Sequence, residues 1–255
     1  MSDTTGLPTL TVEGHCATIR LNRPEVHNRI EPQDIVEMMR LLDGVDADLN
    51  VRVLILTASG KSFSSGFFIQ EIGTRAESTT AGFDAMTDRM ERVRMPTIAA
   101  LNGGVYGGST DLALSCDFRI GVTGMSMFMP AAKLGLHYYP GGMQRYVSRL
   151  GVDTAKRLFL TGERLGAEEL LRIGFLTELV APEGLAAAVA ALAAPLQTNA
   201  PLAVQGMKTA LNDIARGDAD LAAIAARAAA VAKSADLQEG RAAFVEKRAP
   251  VFKGV

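Results

Sequence analysis

Two apolar runs in this chain end in glycine turns, and the second constrains the fold most. Pro96-Thr-Ile-Ala-Ala-Leu101 is followed by Asn102-Gly-Gly-Val-Tyr-Gly-Gly-Ser-Thr-Asp111, which leads into Leu112-Ala-Leu-Ser-Cys116. The order reads as strand, glycine-rich turn, helix. Glycine lets backbone N–H groups come close to a ligand with no side chain in the way. A helix starting there turns its partly positive end to the same spot. A developing negative charge can rest in such a place, and Asp111 stands on the first turn of the expected helix.

The commoner glycine motifs do not fit. The dinucleotide fingerprint needs glycine at i, i+2 and i+5, and no three of Gly103, Gly104, Gly107 and Gly108 are so placed. A nucleophile elbow needs a glycine where Asp111 stands. Gly60-Lys-Ser62 hints at a phosphate loop, but Ile55 occupies the position of its first glycine. Upstream, Val51-Arg-Val-Leu-Ile-Leu-Thr57 reads as a buried strand. It leads into Phe63-Ser-Ser-Gly-Phe-Phe-Ile-Gln-Glu71, with Gly66 at an expected strand-to-helix junction. Two such turns imply two backbone N–H donors converging on one oxygen, an oxyanion hole.

Here the residues resemble the crotonase (enoyl-CoA hydratase/isomerase) superfamily. Leu21-Asn-Arg-Pro24 is similar to its L-N-R-P, and Phe63-Ser-Ser-Gly66 to its F-x-A-G. Asn102-Gly103 with Gly107-Gly-Ser-Thr-Asp111 is similar to N-G-x-x-x-G-G-G-x-E. Leu134-Gly135, Pro140-Gly-Gly142 and Gln144-Arg145 follow a further family segment, and Phe244-Val-Glu-Lys-Arg248 with Pro250-Val-Phe-Lys-Gly254 its usual ending. The resemblance runs along nearly the whole chain. It implies an α/β fold, a crotonase-like spiral of strand-strand-helix turns, over residues 1–180, with a helical region over 181–255 that covers the active site and builds a trimer or dimer of trimers. It also implies an acyl-CoA thioester as substrate, with coenzyme A part of that substrate, no tightly bound cofactor and no metal.

By that resemblance Ser65 and Gly108 supply the oxyanion N–H groups and Asp111 the catalytic carboxylate. Gly66, Phe67, Phe68, Ala131, His137, Tyr138 and Tyr139 fall on substrate-facing positions. Val26 and Asn28 align with a loop that meets the adenine in relatives, and Phe244 and Lys247 with residues that reach the nucleotide from a neighbouring subunit. The departures bear on the reaction. Asp111 is one methylene shorter than the family glutamate, and Ala131 stands where a hydratase has its second. Phe67 and Phe68 replace a small residue and an aspartate, and Leu136-His-Tyr-Tyr139 is more polar and aromatic than usual. Without the resemblance, Asp111 reads as a helix-dipole aspartate and the lysine as a solvated charge.

The expected activity is therefore that of an enoyl-CoA hydratase or close variant with one of its two acids. The alternatives are decarboxylation, isomerisation or hydrolysis of an acyl-CoA, or acyl-CoA binding without catalysis. Bulk properties agree with a small-molecule enzyme. With 26 Lys plus Arg against 28 Asp plus Glu, the net charge of −2 argues against nucleic acid or an anionic membrane as main partner. Cys16 and Cys116 form no C-x-x-C, so a reduced, cytoplasmic setting is expected. The Met1–Gly6 start lacks the features of a signal peptide. Alanine-rich residues from Leu185 to Val231, broken at Pro195, Pro201 and Gly217, predict closely packed helices.

Overall fold

The computed structural model describes residues 6–68 and 82–255. Two sheets share the work of positioning the glycine turns. The larger is built from β1 (Thr9–Glu13), β2 (Cys16–Leu21), β3 (Val53–Ala58), β5 (Thr97–Leu101), β7 (Phe118–Val122) and β10 (Glu178–Val180), in the spatial order β1-β2-β3-β5-β7-β10. The smaller is built from β4 (Ser62–Ser64), β6 (Gly104–Tyr106), β8 (Ser126–Phe128) and β9 (Arg164–Gly166), in the order β4-β6-β8-β9. The β1–β2 and β8–β9 pairs are antiparallel and the others parallel.

The chain climbs as a spiral. Strands β3, β5 and β7 each lie in the large sheet, and after a short connection each continues into β4, β6 or β8 of the small one. Helices α1 (Pro32–Ala47), α2 (Phe83–Arg92), α3 (Gly108–Leu114) and α4 (Pro140–Leu150) return the chain between these turns. Then come α5 (Val152–Thr161) and α6 (Ala167–Arg172). This is the expected spiral of strand-strand-helix turns.

The expected strand–turn–helix around Asn102 holds, with one addition. The three-residue strand β6 sits inside the glycine stretch, paired to β4 and β8. So short a strand between glycines carries no periodicity to read. The helix expected after Gly66 falls on residues outside those described.

Strands β3 and β5 are buried on both faces, which explains their unbroken apolar character. One face meets the main core, including Leu54, Leu56, Ala99, Leu101, Met86 and Met90. The other is covered by α7 (Leu185–Thr198), whose Val189 and Ala193 pack with Val53, Ile98, Ala100 and Ile120. Helices α8 (Pro201–Arg216), α9 (Leu221–Val231) and α10 (Ala235–Glu246) follow. Polar ties join this region to the spiral. Lys208 Nζ on α8 donates to Met95 O at 2.7 Å and pairs with Asp117 at 2.9 Å. Arg52 donates to Gln197 O and Phe252 O. Among the described residues no single helix is long and apolar enough to cross a membrane.

Candidate active site

The two glycine turns meet because β4 and β6 are neighbours. Ser109 ties them together: its single hydroxyl proton is shared between Ser64 O at 2.9 Å and Tyr106 O at 2.8 Å, and its oxygen accepts from Tyr106 N–H at 3.0 Å. Gly66 has φ +90°, and a Cβ there would stand 2.5 Å from Tyr106 O and 2.9 Å from Gly108 N. Only glycine tolerates that approach together with that conformation.

The structure changes the expected pair of donors. Ser65 N–H is not available, because it donates to His27 O at 2.8 Å. Gly66 N–H is likewise taken, by Ser64 Oγ at 3.0 Å. The left-handed turn at Gly66 instead leaves Phe67 N beside the second turn, 3.6 Å from where a Cβ on Gly108 would be. Among the described residues neither Phe67 N–H nor Gly108 N–H has an acceptor. Gly108 opens α3, where first-turn N–H groups have no partner within the helix. Two neighbouring free donors can hold an oxygen that carries negative charge.

Both residues line a cleft of about 780 Å³, the open solvent at its mouth included. Its walls are largely apolar: Phe67, Phe83, Phe128, Met129, Leu134 and Leu136, with the Tyr106, Tyr138 and Tyr139 rings. Ser65 lines the rim and keeps a place in the wall. Ala131, His137, Tyr138 and Tyr139 also line the cleft, as expected of substrate-facing positions. Ala131 is buried, so the wall carries a methyl group at the position that the resemblance gives to a second carboxylate. His137 Nδ1 lies 2.9 Å from Tyr138 O, and the residue is exposed at the mouth.

The remaining expected positions are not in the wall of this chain's cleft. Phe68 does not line the cleft; its ring lies under the Arg29 guanidinium, 4.0 Å from centroid to carbon. The Asn28 side chain is buried and fully used inside its loop: it accepts from Arg23 N–H at 2.8 Å and donates to Ser59 O and Ser62 O. Val26 belongs to a short turn of 3-10 helix beside it, its carbonyl accepting from Ser65 Oγ at 3.3 Å. Phe244 and Lys247 sit at the end of α10 and do not line this chain's cleft, Phe244 being 85% exposed.

Asp111 is the largest departure. It is 0% exposed and does not line the cleft. Arg145 on α4, itself 2% exposed, grips it with both arms: Nε donates to Oδ1 at 2.9 Å and Nη2 to Oδ2 at 2.7 Å. The Tyr139 hydroxyl donates to Oδ2 at 2.5 Å, and Tyr139 itself lines the cleft. Arg145 also meets Asp88, Glu91 and Thr87 Oγ1, and Glu91 is shared with Arg149 and Arg216.

These residues converge for local reasons. Tyr139 is the N-cap of α4 and Pro140 its first residue, which fixes the backbone direction on entry. Gly142 gives room for the tyrosine rings, since a Cβ there would stand 2.4 Å from Tyr138 Cε1 and 2.9 Å from Tyr139 Cε2. The rings of Tyr138 and Tyr139 stack at 4.3 Å. Burial, and then the Asp111 carboxylate, push the Tyr139 hydroxyl well above the usual tyrosine range; burial and the neighbouring Tyr139 do the same to Tyr138. Burial works to lower Arg145, yet the bonded Asp111, with Asp88 and Glu91, holds it firmly cationic.

Sequence reasoning had Arg145 only as part of a motif. The available signal was its position on α4, within the buried series Gly142, Arg145, Tyr146, Leu150, where an arginine needs a buried partner. Nothing in the sequence points to Phe83, Thr87 or Phe128, because isolated aromatics and threonines carry no spacing.

The geometry can be set beside known proteins. Residues 11–255 match the family model for enoyl-CoA hydratase/isomerase. The short-chain-enoyl-CoA hydratase of Clostridium acetobutylicum is 32% identical, over 94% of this chain and 94% of its own. The crotonyl-CoA hydratase of Syntrophomonas wolfei is 33% identical, over 95% and 96%. The solved structure of enoyl-CoA hydratase subunit I from Geobacillus kaustophilus superposes with a TM-score of 0.88 at 32% identity, covering 97% of this chain and 98% of that one.

Proposed function

The chain belongs to the enoyl-CoA hydratase/isomerase family, and from that premise we propose that it binds an acyl-CoA thioester and stabilises its enolate through the Phe67 and Gly108 N–H groups. The observation that carries this is a pair of backbone donors with no acceptor among the described residues, side by side in the wall of an apolar cleft. A thioester carbonyl placed there gains negative charge as the α-carbon loses a proton. Donors already aimed at that oxygen favour the charged state over the neutral one. The aromatic walls suit the acyl group and keep water from the enolate.

Within that chemistry the chain is a hydratase-type enzyme with an altered acid–base set. Hydration across a 2,3-double bond needs one group to activate water and another to protonate the α-carbon. Ala131 offers neither, and the polar side chains of the wall are Ser65, Tyr106, His137, Tyr138 and Tyr139. A missing acid–base group usually costs about 10²–10⁴-fold, so reactions that need only α-proton transfer are favoured over hydration.

Isothermal titration with crotonyl-CoA and with free crotonate tests the reading. The thioester should bind and the free acid far more weakly, because the acid lacks the nucleotide and presents a charged carboxylate to an apolar wall. Equal affinity for the two, or none for either, would contradict it.

A further inference from the structure

Asp111 cannot touch a substrate directly. Its two oxygens receive three donors, two from Arg145 and one from Tyr139, and no part of it is exposed. Any exchange between this carboxylate and the cleft has to pass through a group that reaches both. Tyr139 is that group: it lines the cleft, and its hydroxyl is bonded to Oδ2. The hydroxyl also has Tyr138 OH and Thr87 Oγ1 at 3.3 Å. On the far side of the cleft wall, Phe83 spaces Tyr139 from the glycine turn. Its ring is 6.5 Å from that of Tyr139, and its edge 3.0 Å from a Cβ position on Gly108.

We propose that Tyr139 is the catalytic residue that exchanges a proton with the substrate α-carbon, with Asp111 acting through it as its proton acceptor and Arg145 fixing that acceptor in place. This rests on the acyl-CoA reading above. In the forward step the substrate C–H bond breaks and its electron pair stays on the substrate as the enolate. The proton forms a new bond to Tyr139 Oη while the original Tyr139 O–H breaks and its proton bonds to Asp111 Oδ2. One C–H and one O–H are lost, two O–H are gained, and the negative charge of Asp111 moves to the enolate oxygen. The reverse sequence delivers a proton to the α-carbon.

The two transfers occur together. A free tyrosinate is disfavoured at this site by burial and by the adjacent carboxylate. A phenol that releases one proton as it takes another never becomes a free anion. The arrangement also accounts for the shorter acid. Asp111 needs to reach Tyr139 rather than the substrate, and the bonded distance of 2.5 Å shows that it does.

The test is release of tritium from [2-³H]butyryl-CoA by the whole enzyme, followed in H2O and in D2O. In the relay a solvent-exchangeable proton, that of Tyr139, moves in the same step as the carbon-bound one, so release should be slower in D2O. Tyr139→Phe should lower release by at least ~10²-fold, the lower end of acid–base contributions, while butyryl-CoA affinity by calorimetry stays close to that of the wild type. Asp111→Asn should lower release similarly, and neither variant should keep the solvent isotope effect. Equal rates in H2O and D2O for the wild type overturn the relay even if the variants fold poorly. Undiminished release by Tyr139→Phe overturns it too. A wild-type enzyme that binds butyryl-CoA but releases no tritium refutes the relay and leaves thioester binding standing. One that neither binds nor releases refutes the underlying reading, and the relay falls with it.

Discussion

Asp111→Ala should cost the protein about 3–5 kcal/mol of folding stability, the usual loss when one partner of a buried ion pair is removed. Arg145 is 2% exposed and held cationic. Without Asp111 it keeps Asp88 and Glu91 on Nη1 and Thr87 on Nη2, while Nε loses its acceptor. The Tyr139 hydroxyl loses its acceptor as well. A domain of this kind has roughly 5–15 kcal/mol in total, so the variant should unfold at a much lower urea concentration. Asp111→Asn keeps the shape and one acceptor oxygen but not the charge, and should fall between the two. A urea midpoint for Asp111→Ala within experimental error of the wild type would mean that the pair contributes little to the fold. This has a practical side: lost activity in an Asp111 variant speaks about catalysis only beside a stability measurement, and Tyr139→Phe, which leaves the ion pair intact, is the cleaner probe.

Gly66→Ala should be the most damaging substitution of a single methyl group for catalysis. The new Cβ would meet Tyr106 O at 2.5 Å and Gly108 N at 2.9 Å, and the residue's φ of +90° is one that alanine rarely adopts. The left-handed backbone alone costs about 1–2 kcal/mol. Relief of the contact pushes the two glycine turns apart, which moves Phe67 N–H away from Gly108 N–H. Loss of one oxyanion donor costs about 10²–10³-fold in acyl-transfer enzymes. Tritium release from [2-³H]butyryl-CoA should therefore fall by at least ~10²-fold in kcat/KM, more than the loss of affinity explains. A fall in affinity alone, with kcat unchanged, would place the turns in ground-state binding and not in stabilising the enolate.

Much of this was legible in the sequence, and the gaps have physical causes. The two apolar runs ending in glycine predicted β3, β5 and the start of α3, because strands covered on both faces are continuously apolar and glycines mark where backbones come close. The spiral followed from the resemblance, since no local pattern says that β4, β6 and β8 form a second sheet. Which N–H faces the cleft depended on one residue of register. The pattern Phe63-Ser-Ser-Gly66 points to Ser65, but with the left-handed turn at Gly66 the Ser65 N–H goes to His27, and that of Phe67 has no acceptor among the described residues. The resemblance puts Asp111 at the right point on the chain but implies direct contact with substrate. Nothing in its neighbourhood in sequence announces Arg145, 34 residues later, or a tyrosine hydroxyl bonded to it. Burial of a charged pair is a property of packing between α3 and α4.

On this reading a bound thioester carbonyl sits between Phe67 N–H and Gly108 N–H. The infrared stretch of [1-¹³C]butyryl-CoA bound to the enzyme measures this most directly, because two strong hydrogen bonds polarise the C=O bond and lower its frequency. The bound carbonyl should absorb at lower frequency than the same thioester in water, and in Gly66→Ala it should return towards the aqueous value. A bound thioester whose carbonyl absorbs at or above its frequency in water would mean that the carbonyl does not lie between these two donors.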